Sequence, residues 1–246
     1  MRRSRILEKI NRGETALAVT MHLTDPSVFE MVSLLGFDGI WMDMEHHGYT
    51  LQTAQNLMRA ARVGPHGGTD IIARPGKGEF MRMGRMLESG ATGIMYPRCS
   101  GPDEAREVVR WAKYAPIGQR GFDGANPDAP YCMMPMAEYV REANKQTFVL
   151  IQLEEPAALD QAEAVAAVPG VDMIMLGPAD FTVLTGIPGQ FDHPSVDAAV
   201  EKVARAARNA GKHWASTTAS VEHAKQMGIT FGEATSAAGR GSEYAR

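Results

Sequence analysis

Cysteine is scarce: the 246 residues hold two, Cys99 and Cys132, without the close spacing of a metal clip. That excludes a disulfide framework and fits a reducing, cytoplasmic setting. No charge of one sign dominates. The formal net charge is −4 at pH 7, which excludes the basic footprint of a nucleic-acid binder. No run of about 18 apolar residues occurs, so no membrane-spanning helix is expected. The opening residues MRRSRILE are basic but lack the apolar stretch of a signal peptide. They read as a short amphipathic helix.

What is present is an ordinary globular mixture, 44% hydrophobic and 22% charged, long enough to bury a full core. The 16 methionines are adaptable core filler and carry no functional reading. Short apolar runs alternate with helical patterns, the signature of repeated βα units. Strands are predicted at 16–21, 39–43, 70–74, 93–97, 148–154, 173–177, 212–216 and 229–232. Helices are predicted at 26–35, 51–62, 79–89, 103–113, 157–167, 195–210 and 221–227. Gly36, Gly90, Gly170, Gly211 and Gly228 stand where left-handed helix caps are expected. Eight strands in a chain near the usual length of about 250 residues favour an α/β fold, a single (β/α)8 TIM barrel over 1–246 with an N-terminal helix plugging its bottom. A doubly wound open sheet is the rival. Residues 114–135, rich in Gly and Pro, break the rhythm. So long a loop is expected to be functional or disordered, and it is placed on the top face, where the strands end.

In a barrel the catalytic groups gather at the C-terminal ends of the strands. Those ends carry Asp43, Glu45 and His46 after strand two, Arg74 after strand three, Gln152 and Glu154 after strand five, and Asp180 after strand six. Glu154 and Asp180 come from adjacent repeats. Two carboxylates without cysteine or paired histidine suit a hard divalent cation; the alternative is that each only caps the next helix. Arg74 can grip a carboxylate or enolate oxygen, or form a salt bridge to a neighbouring strand end. Asp43 beside His46 makes a candidate oriented base, or His46 only organises a loop next to His47. His22 is a weaker rim candidate. Met21, Met44, Tyr49 and Phe181 are read as rim residues and make the rim fairly apolar.

The strings GFDGIWMDMEH (36–46), ARP (73–75), SGATGIMYP (89–97), GQRG (118–121), IQLE (151–154) and LGPAD (176–180) occur in this order. As an ordered set they resemble the class II 2-oxo-acid aldolases of the hydroxy-heptenedioate and 2-dehydro-3-deoxyglucarate aldolase (HpcH/HpaI) family, over residues 5–233. The resemblance implies a lyase that reversibly cleaves 4-hydroxy-2-oxo acids to pyruvate and an aldehyde, and with the apolar rim of Met21, Met44, Tyr49 and Phe181 it predicts tolerance of uncharged or hydrophobic aldehydes. It implies Mg²⁺, Mn²⁺ or Co²⁺ held by Glu154 and Asp180, with Gln152 lining the site and Arg74 stabilising the enolate. His46, held by Asp43 and supported by Glu45, would lead proton transfer, and the backbone around Pro178 and Ala179 would hold the pyruvate carboxylate. A homo-oligomer, trimer or hexamer, is also implied. No lysine stands at a strand end, so no Schiff base is expected. Three departures stand out: Glu88 replaces an aspartate near the end of the third helix, strand eight lacks the usual polar ending, and the C-terminal helix looks truncated. An oxo-acid decarboxylase is the alternative enzyme, and a barrel that binds an oxo acid without turnover is the alternative of another class.

Overall fold

Alternation along eight short strands decides which side chains enter the centre of this molecule. The computed structural model describes residues 1–218 and 231–234. Its strands are β1 (Ala16–Met21), β2 (Gly39–Asp43), β3 (Asp70–Arg74), β4 (Gly93–Tyr96), β5 (Phe148–Leu153), β6 (Met173–Leu176), β7 (His213–Thr218) and β8 (Phe231–Ala234). Each pairs in parallel with the next, and β8 returns to β1 through Ala16↔Phe231, so the barrel closes. The open-sheet rival is thereby excluded. Parallel strands need crossover helices, and these are α2 (Pro26–Leu34), α3 (Leu51–Ala60), α4 (Phe80–Ser89), α5 (Pro102–Ala112), α7 (Pro156–Leu159), α8 (Ala162–Ala166), α9 (Pro178–Leu184) and α10 (Pro194–Asn209). The helix expected at 221–227 and the C-terminal segment lie outside the described residues.

Period two sends Ile72, Leu150, Met173 and Met175 into the lumen and their strand neighbours outward against the helices. The predicted N-terminal helix is present as α1 (Arg5–Asn11), capped by Ser4, whose hydroxyl accepts from Leu7 N at 3.1 Å. Its Ile6 and Ile10 join the lumen cluster and seal the barrel from below. Buried Asp38 accepts from Arg5 Nε, Lys9 Nζ and Leu17 N at 2.8, 2.8 and 2.9 Å. Asp70 accepts from Ser4 Oγ at 2.6 Å and Ile6 N at 2.9 Å. Gly39 leaves the space this plug needs, since a Cβ there would lie 2.8 Å from Ile6 Cδ1.

The 114–135 segment is not on the top face. It follows α5, which has already carried the chain back to the strands' N-terminal side. There Tyr114 N donates to Asn144 Oδ1 at 2.8 Å, and the Met1 amine approaches Met134 Sδ at 3.6 Å. It leads into a helix the sequence reading omitted, α6 (Met136–Gln146), whose Gln146 accepts from Ser4 N at 2.9 Å. The long segment thus underlies the barrel beside α1, opposite the strand ends.

Candidate active site

The rim residues are set by strand parity. Asp43 and Arg74 pair directly in register, and Gln152 sits on β5, two strands further round from Arg74. All three are inward-facing and almost completely buried, at 2%, 7% and 2% exposure. Arg74 Nε and Nη2 donate to Asp43 Oδ1 and Oδ2, both at 2.9 Å, while Nη1 donates to Gln152 Oε1 at 3.3 Å. Its Nε also lies 3.3 Å from Glu45 Oε2, and its guanidinium carbon sits 4.4 Å from the ring centroid of Trp41. Three of the five guanidinium N–H donors are therefore engaged and two remain. The salt-bridge alternative for Arg74 is real, and it leaves an edge of the group free.

Glu154 is 1% exposed and accepts from the backbone N–H of Arg98 at 3.1 Å. That amide comes from a residue held at φ 45°, where a non-glycine residue is strained. The Glu154 carboxyl is pushed up to about 7, first by burial and then by the nearby negative charge of Asp180. The Arg74 charge works the other way but does not prevail. Half-buried Asp180 accepts no hydrogen bond among the described residues. Neither carboxylate caps a helix: the caps of α7 and α9 are Glu155 and Gly177, and neither makes a side-chain capping bond. Burial also pushes Glu45 up. Three carboxylates crowded at one barrel mouth are the donor chemistry that a hard divalent cation satisfies.

Gly177 makes the Glu154 position possible. A Cβ on residue 177 would fall 2.0 Å from Glu154 Oε1 and 2.5 Å from its Cγ. Since φ at Gly177 is an ordinary −89°, the requirement is space alone. Gly177→Ala is expected to fold and to displace the Glu154 carboxylate, weakening divalent-cation affinity by an order of magnitude or more. Calorimetric titration with Mn²⁺ measures this; unchanged affinity would show that the Glu154 carboxylate position is unimportant.

Asp43 does not hold the His46 ring. The chain turns after β2, so strand parity no longer applies. Asp43 Oδ1 accepts the His46 backbone N–H at 3.4 Å, but its ring partner is His47, with Nδ1 3.0 Å from Oδ2. The His46 side chain is 58% exposed, and its Nε2 stands 3.6 Å from Glu45 Oε2, beyond hydrogen-bond distance. His47 stacks on His22 with centroids 4.0 Å apart and planes 15° apart. The ligand atoms of His22, Asp43 and His47 approach within 4.8 Å of one another, a second place a cation could be sought. Two facts disfavour it. Imidazole lone pairs lie in the ring plane, so stacked rings do not converge on one ion, and both Asp43 oxygens already face Arg74.

Glu88 is not brought to this rim within the chain. It lies near the end of α4, beneath the barrel, where burial raises its carboxyl and Arg120, Asp123, Arg85 and Asp128 are its charged neighbours. Met21, Met44, Tyr49 and Phe181 also leave the rim: all are at most 5% exposed and packed in the layer between strands and helices. The case for an uncharged or hydrophobic aldehyde loses its basis. Sequence reasoning missed Trp41, Arg98, Gly177 and His47. Trp41 alone was signalled, by sharing the inward parity of Asp43.

The HpcH/HpaI aldolase/citrate lyase family model matches residues 19–243. The chain is 32% identical over 209 residues to a hydroxypyruvate/pyruvate aldolase of Pseudomonas aeruginosa, covering 85% of this chain and 76% of that one. It is 32% identical over 201 residues to a 2-keto-3-deoxy-L-rhamnonate aldolase of Klebsiella pneumoniae, covering 82% and 74%. The crystal structure of an HpcH/HpaI aldolase from Desulfitobacterium hafniense superposes with a TM-score of 0.84 at 29% identity, covering 94% of this chain and 90% of the other. The chain belongs to the HpcH/HpaI aldolase/citrate lyase family.

Proposed function

We propose that this protein is a class II pyruvate aldolase, a lyase that reversibly cleaves a 4-hydroxy-2-oxo acid into pyruvate and an aldehyde. The observation that carries the reading is the fork of Arg74 beside buried Glu154 and half-buried Asp180 at one barrel mouth. Relatives named as aldolases for pyruvate and for a keto-deoxy sugar acid support it. Residues 1–246 are read as a single barrel domain carrying the whole site.

Glu154 and Asp180 would hold a divalent cation, and their oxygen-only character suits Mg²⁺, Mn²⁺ or Co²⁺. Bound there, the ion would supply Lewis-acid polarisation of the 2-oxo group. The protein's own groups divide the remaining work. The two free Arg74 N–H donors stabilise the oxygen on which charge develops as the C3–C4 bond breaks. Asp43 and Gln152 keep the guanidinium in that orientation. The backbone N–H groups of Ala179 and Asp180, at the start of α9, have no acceptor in the first helical turn and are offered to the substrate carboxylate. Pro178 contributes no N–H and fixes the turn. A histidine after β2 moves the proton. Decarboxylation of oxaloacetate, which generates the same enolate by loss of CO₂, is an expected side activity.

The test is cleavage of a 4-hydroxy-2-oxo acid, followed by pyruvate release with and without chelator. Pyruvate appearing only with the added cation supports the reading. Binding of pyruvate without any turnover would make the barrel a binding protein instead.

A further inference from the structure

We propose that Lys77 is a positioning residue for Glu154 as a cation ligand, acting through the peptide of Arg98, with Glu104 holding its ammonium in place. This rests on the reading of Glu154 and Asp180 as the cation ligands and adds what fixes the first of them.

Arg98 follows β4 and Pro97, and its backbone lies in the left-handed region at φ 45°. A non-glycine residue keeps such a conformation only where its surroundings over-determine it. Four hydrogen bonds do so here. Arg98 N donates to Glu154 Oε2 at 3.1 Å, and the next amide, Cys99 N, donates to the Gln152 carbonyl at 3.1 Å. Arg98 Nη2 donates to Glu155 Oε1 at 3.1 Å. The Arg98 carbonyl accepts from Lys77 Nζ, which reaches across from the connection between β3 and α4. The first three bonds all run to residues 152–155. Lys77 alone among these partners holds the carbonyl.

Lys77 is itself held. Its Nζ lies 3.3 Å from Oε2 of Glu104, in the first turn of α5. The same carboxylate accepts from Tyr96 Oη at 2.6 Å, and from Ser100 N and Oγ at 2.8 and 2.6 Å. Tyr96 Oη accepts in turn from Gly78 N at 2.9 Å, one residue after Lys77. Glu104 thus ties the end of β4, the loop after it and the loop after β3 to one point. Burial pushes its carboxyl up, but the hydrogen bonds from Ser100 and Tyr96 outweigh burial and hold it low. It therefore stays an anion facing the lysine.

The ammonium is committed to the Arg98 carbonyl and to Glu104, and it pairs with neither Glu154 nor Asp180. Its effect on a cation there runs through the backbone. Without it the Arg98 carbonyl loses its partner, and the strained residue can relax out of the left-handed region. That rotation turns the Arg98 N–H away from Glu154 Oε2 and frees the buried carboxylate to swing. Outer hydrogen bonds of this kind orient a metal ligand.

The experiment is calorimetric titration of Mn²⁺ into the parent, Lys77→Met, Lys77→Arg, Arg98→Gly and the double variant Lys77→Met/Arg98→Gly. Lys77 is partly exposed, so the fold tolerates its replacement. Lys77→Met is expected to bind Mn²⁺ about 10-fold more weakly, the lower end of the cost of losing an outer partner of a metal ligand. Lys77→Arg, which keeps a donor, should recover most of that. The sign is informative, because removing a nearby positive charge would by itself leave the affinity unchanged or tighten it. Glycine adopts positive φ without strain, so the lysine has less to hold in Arg98→Gly. Lys77→Met should then cost less in that background than in the parent, a difference the double-mutant cycle reads directly. Unchanged or tighter binding in Lys77→Met, or an equal loss in both backgrounds, would overturn the role of Lys77 and leave the cation reading standing. A parent protein that binds no Mn²⁺ would overturn both.

Discussion

Glu154→Gln protein is expected to fold, to bind no divalent cation and to lose aldol cleavage. The substitution keeps the shape that Gly177 accommodates and the acceptor that the Arg98 amide requires. It removes a charge that burial and Asp180 both oppose. Without cation the variant should therefore be at least as stable as its parent near neutral pH. The cation separates them. A ligand at 100 times its Kd stabilises the native state by about 2.7 kcal/mol, which for a chain of this size raises Tm by roughly 5–10 °C. Thermal melts with Mn²⁺ should show that rise in the parent and none in Glu154→Gln; Asp180→Asn should behave likewise. An equal rise in the variants would place the cation elsewhere, with His22, Asp43 and His47 as the next site to examine.

Arg74→Ala should cost both rate and stability, and the two effects can be separated. Losing a preorganised oxyanion donor lowers the rate by roughly 10²–10³-fold. Breaking a buried pair leaves Asp43, whose side chain is 3% exposed, without its counter-charge, at roughly 3–5 kcal/mol. Burial alone would raise the Asp43 carboxyl, but the hydrogen bonds and charge of Arg74 outweigh it and hold the group down at about 2. A depressed carboxylate stabilises the fold above its unfolded value, which is near 4, and that stabilisation is lost as pH falls through about 2. In Arg74→Ala the carboxyl rises because burial is no longer opposed by the guanidinium, so the loss of stability relative to the parent should be largest near neutral pH and shrink as the carboxyl is protonated toward pH 3. Arg74→Lys restores a charge but not the fork; it should recover part of the stability and little of the rate. Urea titrations at pH 3, 5 and 7 beside single-turnover cleavage measure both. A rate in Arg74→Ala matching the parent would reduce the arginine to a structural partner of Asp43.

The strands were legible because buried parallel strands appear as short apolar runs closed by polar residues, and Asp43, Arg74, Glu154 and Asp180 closed theirs. What was not legible follows from geometry. Residues 114–135 read as a top-face loop because they lie between two strands, yet α5 had already reversed the chain, so they underlie the barrel. Met21, Met44, Tyr49 and Phe181 read as rim residues by position, but their side chains point into the helix layer. The choice between His46 and His47 depends on a turn after β2 that no periodicity describes. The short helix α9 was hidden because Gly177-Pro178 reads as loop punctuation. Glu88 was placed by likeness to a family position, and its own surroundings of Arg120 and Asp128 belong to the underside.

The most direct measurement of the central claim is exchange of the methyl protons of pyruvate with deuterated solvent, followed by proton NMR. It requires enolisation alone and no knowledge of the aldehyde. The account predicts exchange in the presence of Mg²⁺, Mn²⁺ or Co²⁺, its loss on chelation, and its near absence in Glu154→Gln and Arg74→Ala. Exchange that persists in verified metal-free protein, or pyruvate bound with cation present and no exchange at all, would contradict it.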